Sequence, residues 1–269
     1  MGNFLLANEG TIRLAIFGGM LALMGGLELL APKRQLSLGR VRRWFQNIGV
    51  VVVNTAAVRA AFFFLPALAV GFAALIAERG IGLFNLVDLP FWLEVLLAIV
   101  FLDGVIYAQH VAFHLIPPLW RIHRMHHADL DIDVTTALRF HPVEIVLSMV
   151  LKLAVIAVLG PAAVAVLIFE ILLNGGAMFN HANVDLPRWL DRSLRWLIVT
   201  PDFHRVHHST VVGETNSNYG FSLSLWDRLF GTYRPQPEAG HVGMNIGLAE
   251  YRDGARQGFL WMLALPFRR

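Results

Sequence analysis

The chain has no cysteine among its 269 residues. That absence excludes disulfides, thiolate zinc sites, cysteine-ligated iron–sulfur clusters and cysteine nucleophiles. It also removes the usual record of the redox compartment. Charge is scarce too. Only 15% of residues are charged and 56% are hydrophobic, whereas soluble domains average about 25% charged, so a membrane protein is expected. The net charge of +3 is small, and the basic residues sit beside apolar runs. They read as membrane-flank charges, with no nucleic-acid partner. The first eleven residues carry Glu9, no basic side chain and no small-residue cleavage site, so a cleavable signal peptide is not expected.

The apolar runs set out the spans. Leu14 to Ala31 is the first, stopped by Pro32. The densest basic run follows, with Lys33, Arg34, Arg40, Arg42 and Arg43. Val50 to Ala77 is interrupted by Asn54 and Arg59; its membrane core is read as Phe62 to Ala77, with a kink at Pro66 and Arg59 snorkelling or facing protein. Pro90 to Phe113 is a third span. Pro142 to Leu159 and Pro161 to Met178 are a fourth and fifth, joined by a Gly160-Pro161 turn. Basic loops face the cytoplasm, which sets the N-terminus outside and brings both histidine-bearing stretches to the cytoplasmic side. The polar remainder reads as a cytosolic cap. In it, Leu186 to Val199 is an amphipathic helix lying on the bilayer, and Thr200-Pro201 is the N-cap and first turn of another. The expected fold is an all-α integral membrane protein with four to five transmembrane or interfacial helices and a cytosolic helical cap carrying the histidines. It forms one domain, with N-terminal spans over 12–80, a catalytic region over 90–233 and a tail over 234–269.

What the chain does contain is clustered histidine. Nine of its eleven histidines fall at the edges of apolar runs: His110 and His114, then His123, His126 and His127, then His181, then His204, His207 and His208. Residues three and four apart share a helix face, so each cluster can aim several imidazoles at one point. Imidazole is the commonest protein ligand for a transition metal. Nine rings exceed the needs of one ion and suit two, at four or five ligands each. An all-nitrogen set fits iron, copper or zinc and argues against magnesium and calcium. Iron or copper implies chemistry with dioxygen and zinc implies hydrolysis. At the edge of a bilayer, an apolar substrate offers C–H bonds and few hydrolysable groups, which favours oxidation.

Other polar residues are candidates for supporting roles. Asp103 lies two helical turns before His110 inside an apolar span, where a carboxylate needs a partner, and orienting an imidazole would supply one. Tyr107 and Asn183 are weaker candidates of the same kind. His141 precedes Pro142 and is read as a supporting residue or ligand, with Glu144 beside it. Asp129, Asp131 and Asp133 are read as a solvated loop with capping roles, and His241 as a surface-loop residue.

Several motifs together carry a family resemblance. They are Asp103-x-x-x-Tyr107-x-x-His110-x-x-x-His114, Leu119-Trp120-Arg121-x-His123-x-x-His126-His127, Arg139-Phe140-His141-Pro142-x-Glu144 and Phe179-x-His181-x-Asn183, followed by Arg205-Val206-His207-His208-Ser209, Asn218-Tyr219-Gly220 and Trp226 to Tyr233. The chain resembles the fatty acid hydroxylase/sterol desaturase superfamily, including its bacterial sterol-desaturase-like and alkylglycerol monooxygenase branches. The resemblance implies an oxidoreductase with two non-haem iron ions held by the nine histidines. It implies dioxygen as co-substrate, a membrane lipid as substrate (sterol, fatty acyl, carotenoid or ether lipid), and electrons from an external redox protein or a reduced pterin. A bacterial inner membrane is the expected location, with the active site on the cytoplasmic side. One departure stands out: some fatty acid 2-hydroxylases carry an HxxxH pair where this chain has Ala177 and His181. The rival readings are a haem electron carrier, a metal transporter and a zinc hydrolase.

Overall fold

The computed structural model describes residues 2–63, 68–254 and 257–268. It is all-helical, with no β-strand among the described residues. Five segments are long and apolar enough to cross a membrane: Glu9–Leu30, Leu68–Asn85, Phe91–Leu115, Pro142–Leu159 and Ala163–Asn180. Eighteen residues at about 1.5 Å each span roughly 27 Å, close to the hydrocarbon thickness of a bilayer.

In chain order the helices are α1 (Gly2–Ala7), α2 (Glu9–Leu30), α3 (Arg40–Ala61), α4 (Leu68–Glu78), α5 (Phe91–Leu115), α6 (Pro117–His127), α7 (Pro142–Leu159), α8 (Ala163–Asn180), α9 (Arg188–Leu194) and α10 (Pro201–His207). Four short helices follow as far as Ala264. Helix α8 is the central element and packs against α2, α4 and α5. It therefore reads as apolar all round, with Val164, Val166, Leu167 and Phe169 all buried.

The expected second span divides differently. Its basic and polar first half is the long helix α3, and its apolar second half is α4; the proposed kink at Pro66 lies outside the described residues. Helix α3 is polar for a reason the hydropathy pattern hides. Its buried residues Arg43, Asn47 and Asn54 face protein. They bond to the loop after α6: Arg43 to Asp129 (2.8 Å) and Asp133, Asn47 to Thr135 (3.0 Å) and Asn54 to the Phe140 carbonyl (3.0 Å). Arg43 is therefore no membrane-flank charge. The loop it holds is not solvated either, since Asp129 and Asp133 are fully buried. Asp133 does cap a short 3-10 turn, accepting from the Thr135 N–H.

At the far end of the bundle from the histidines, α7 stops at Gly160, whose positive φ of 62° suits glycine. The turn lies so close to Ile81 and Gly82 that a side chain at 160 would collide with the Ile81 carbonyl. The amphipathic stretch after α8 folds as α9 and leaves Trp189, Trp196 and Leu197 exposed, a face suited to an apolar medium. The chain beyond 234 returns to the bundle. Arg121 and Arg124 of α6 donate to the Pro266 and Leu265 carbonyls (3.2 and 2.7 Å).

Candidate metal centre

The structure gathers all nine clustered histidines at one end of the bundle and sorts them into two groups. His110, His114, His123, His127 and His207 form one; His126, His181, His204 and His208 form the other. Within each group the candidate ligand atoms lie within 4.8 Å of one another, and every ring is buried.

Helix geometry explains the sorting. Each HxxHH box lies on a short helix begun by a proline, Pro117 for α6 and Pro201 for α10, with His208 as the C-cap residue of α10. Proline suits the first turn because the N–H it lacks would be unpaired there. Thr200 caps α10 by accepting from the Phe203 N–H (3.3 Å). Successive residues turn by about 100°, so the first and last histidines of a box share a face and the middle one points elsewhere. His123 and His127 join the first group and His126 the second; His204 and His208 join the second and His207 the first. The two boxes cross, and each group takes two rings from one box and one from the other. Helix α5 adds His110 and His114, one turn apart, to the first group. His181, at the C-terminal end of α8, completes the second.

The hydrogen bonds fix the state of the rings. Nδ1 of His110 meets the Tyr219 carbonyl (2.7 Å), that of His207 the Ser217 carbonyl (2.8 Å) and that of His181 the Ala177 carbonyl (2.8 Å). A carbonyl only accepts, so these rings donate from Nδ1 and present a bare Nε2. His123 does the same toward the Glu144 carboxylate (2.8 Å). Yet the Nε2 atoms converge. His110 lies 3.0 Å from His207 and 3.1 Å from His123, and His181 lies 3.1 Å from His126 and 3.2 Å from His204. His110, His123 and His207 are all committed to Nδ1–H, so their lone pairs face one another. A shared cation relieves that repulsion. Two nitrogens about 2.1 Å from one ion stand roughly 3.0 Å apart at right angles, which matches the observed spacing. His208 is fully buried with neither ring nitrogen bonded to protein, an arrangement that is costly unless a ligand completes it.

Burial and neighbouring imidazoles push the His126, His127, His204, His207 and His208 rings well below the usual histidine range. Burial takes His181 down to about 4, against the pull of its bond to the Ala177 carbonyl. Neutral imidazole is the metal-binding form. The donor set thus fits transition-metal ions that accept nitrogen, in two places.

The family model for fatty acid hydroxylases matches residues 95–232. The chain belongs to that family. It is 31% identical over 182 residues to the ornithine lipid hydroxylase OlsE of Rhizobium tropici, covering 67% of this chain and 52% of that protein. It is 32% identical over 133 residues to the alkylglycerol monooxygenase of Xenopus tropicalis, with 49% and 28% coverage. The human alkylglycerol monooxygenase is 28% identical over 163 residues, with 58% and 34% coverage. The chain therefore spans about half the length of the first relative and about a third of the other two. No solved structure matches it.

Other residues of this fatty acid hydroxylase family member lie where the sequence did not lead. Asp103 touches no imidazole; its Oδ2 accepts from the Trp226 indole (2.9 Å) and the Leu223 N–H (3.2 Å). Gly104 makes room for that indole on α5. The carboxylate therefore pins the 225–229 helix to α5. Tyr107 donates to or accepts from Thr232 Oγ1 (2.9 Å) and stacks on Phe230 (5.5 Å), again joining α5 to that segment. Asn183 bonds the Arg34 backbone at N–H and carbonyl (3.1 and 2.8 Å) and meets no histidine. His141 caps α7 by accepting from the Val143 N–H (3.2 Å), and its Nε2 meets the Leu263 carbonyl (3.2 Å). That leaves Glu144 free to turn to His123. His241 is buried beside Asp202 (3.7 Å) rather than exposed, and burial lowers it to about 4.

The acceptors that orient the rings went unnoticed in the sequence because most are backbone. The loop 216–220 supplies three of them: Asn216 Oδ1 to His114 (3.2 Å), the Ser217 carbonyl and the Tyr219 carbonyl. Asn218 takes a positive φ of 53° within it, a conformation asparagine tolerates. Asp227 holds the loop by accepting from the Tyr219 and Gly220 N–H groups (both 2.7 Å). The Asn-Tyr-Gly and Trp-Asp motifs were the available signal.

Proposed function

We propose that this chain is an oxygen-dependent di-iron lipid oxygenase that hydroxylates or desaturates a C–H bond of a membrane lipid, drawing electrons from a redox protein or a reduced pterin. The observation that carries the reading is the pair of imidazole groups with converging bare Nε2 atoms at the end of a bundle of apolar helices. Family membership and lipid-hydroxylating relatives support it. The site would face the cytoplasm of a bacterial inner membrane.

His110, His114, His123, His127 and His207 would hold one ion, and His126, His181, His204 and His208 the other. Bound iron would supply dioxygen binding and reduction, with nitrogen ligands suited to that redox chemistry. The chain's own residues do the rest. The Tyr219, Ser217 and Ala177 carbonyls and Glu144 fix each ring with its proton on Nδ1, and such bonds raise ligand basicity. Phe140 stacks on His126 (4.3 Å) and walls off that ring. A roughly 400 Å³ cavity within the helices reaches His110, His123 and Ala177, a size suited to part of a lipid. Phe113, Phe140 and Phe221 line the cavity beside the imidazoles, and apolar walls at that end would help keep water from the reacting carbon.

The test is incorporation of oxygen. Purified protein in lipid nanodiscs, supplied with iron, a reductant and isotopically labelled dioxygen, is incubated with a bacterial lipid extract. A lipid that gains one labelled oxygen, or loses two hydrogens only when dioxygen is present, is the expected outcome. Hydrolysis products formed equally without dioxygen would overturn the reading in favour of a hydrolase.

A further inference from the structure

The cavity is unexpectedly polar at the end away from the histidines. Arg13, Arg59, Lys152 and Glu170 line it there. Arg13 donates to Glu170 Oε2 (2.6 Å) and Lys152 to Glu170 Oε1 (2.5 Å). Arg59 pairs with no carboxylate among the described residues. Three cations thus face one carboxylate. The other carboxylate on the cavity wall, Glu144, is bonded to His123 at the opposite end. Gln109 and Ser148, bonded to each other (2.5 Å), add polar wall between the two ends.

Glu170 and Lys152 sit deep, while Arg13 is partly open and Arg59, on α3, is exposed at the cavity's rim. Glu170 is seven residues before Ala177 on α8, and Lys152 is eight residues after Glu144 on α7. At 1.5 Å per residue each lies roughly 10–12 Å from the level of the imidazoles, near the middle of its span. A cation in a transmembrane segment is costly, and such residues mark substrate paths. A structural ion cluster would balance its charges; this one leaves cations in excess beside an open cavity.

Resting on the oxygenase reading, we propose that Arg13, Arg59 and Lys152 form a subsite for the anionic group of an amphiphilic substrate, a carboxylate or phosphate. The chain attached to that group runs back toward the histidines. With bonds of about 1.5 Å advancing some 1.25 Å each along an extended chain, eight to ten carbons cover the distance. The subsite selects acids over neutral lipids of the same chain length, and Arg59 contributes most of the selectivity because Arg13 and Lys152 already share Glu170.

The experiment is equilibrium binding of radiolabelled dodecanoate, dodecyl phosphate and dodecanol to the full chain in neutral phosphatidylcholine nanodiscs at pH 8. Partition into empty nanodiscs is subtracted, and metal content is measured on the same samples. Wild type is expected to bind at least one of the two anions about tenfold or more tighter than dodecanol, and the tighter anion identifies the group. Arg59→Gln should bring that ratio close to one while leaving dodecanol binding unchanged, and Arg59→Lys should keep most of it. Equal binding of anions and alcohol by wild type, or an unchanged ratio in Arg59→Gln, overturns the proposal. Two metals per chain with no anion preference sinks this inference alone; no bound metal sinks the oxygenase reading whatever lipid binds. If Arg59→Gln does not fold, the wild-type ratio decides by itself.

Discussion

The two histidine groups are built from the same parts and differ at one position. Each combines the outer rings of one HxxHH box with the middle ring of the other. The first group then gains both His110 and His114 from α5, while the second gains only His181, with Ala177 standing one turn earlier on α8. Ala177 also lines the cavity. His110 and His123 of the first group line it as well, whereas none of the four second-group imidazoles does. If each group holds an ion, the first would be the better supplied and the second would have one protein donor fewer.

The sharpest way to break that comparison is to remove one donor from each side. His208→Ala leaves the second group three rings and is expected to lose that metal and drop lipid turnover to background. His114→Ala leaves the first group four rings and should retain a measurable fraction of both. Metal analysis and turnover on the two variants decide it, and equal losses would show the groups to be equivalent.

Acid should weaken the fold through both groups. The rings lowered by burial stay neutral in the folded protein, whereas the unfolded chain protonates them near pH 6.5. Stability is full above that value and falls as pH drops toward about 4, the range in which His181 finally takes a proton. Each such ring contributes up to about 1.4 kcal/mol per pH unit in this window. Chelator-treated protein should show a level Tm from pH 8 to about 6.5 and a falling Tm from there to pH 5, and added metal should offset the loss. A flat profile would contradict the ring states described.

Glu144→Gln removes the carboxylate behind His123 and should weaken metal binding in the first group alone by about 10–100-fold. Ala177→His offers the second group a fifth ring. It should slow removal of that metal by a chelator while reducing lipid turnover, because the new side chain enters the cavity. The smallest effect is expected from Asp103→Asn. This variant disturbs the Trp226 contact and should cost about 1 kcal/mol of stability, read as a lowered Tm, with metal content unchanged.

Much of the architecture could be read from the sequence, and the exceptions have physical causes. The span from Pro142 to Leu159 keeps those ends in the structure because proline starts it and Gly160 stops it. The histidines declared themselves through i, i+3, i+4 spacing, which holds on any helix. The sorting into five and four did not, since it depends on how α6 and α10 face each other across space. The burial of Arg43, Asn47 and Asn54 on α3 is not legible in the sequence, because it depends on the loop they hold, which comes 86 to 88 residues later. Asp103 announces that a carboxylate inside a span needs a partner but not which one; the partner is an indole 123 residues later. Backbone carbonyls such as that of Ser217 leave no mark on residue type at all.

The most direct test of the two-metal centre is iron stoichiometry. Protein loaded with Fe(II) without oxygen and freed of loose metal should hold two irons per chain, falling toward one in His126→Ala, which leaves its group three rings, and by a smaller fraction in His207→Ala, which leaves its group four. A chain that binds no metal, or keeps two irons after both replacements are combined, would contradict the account.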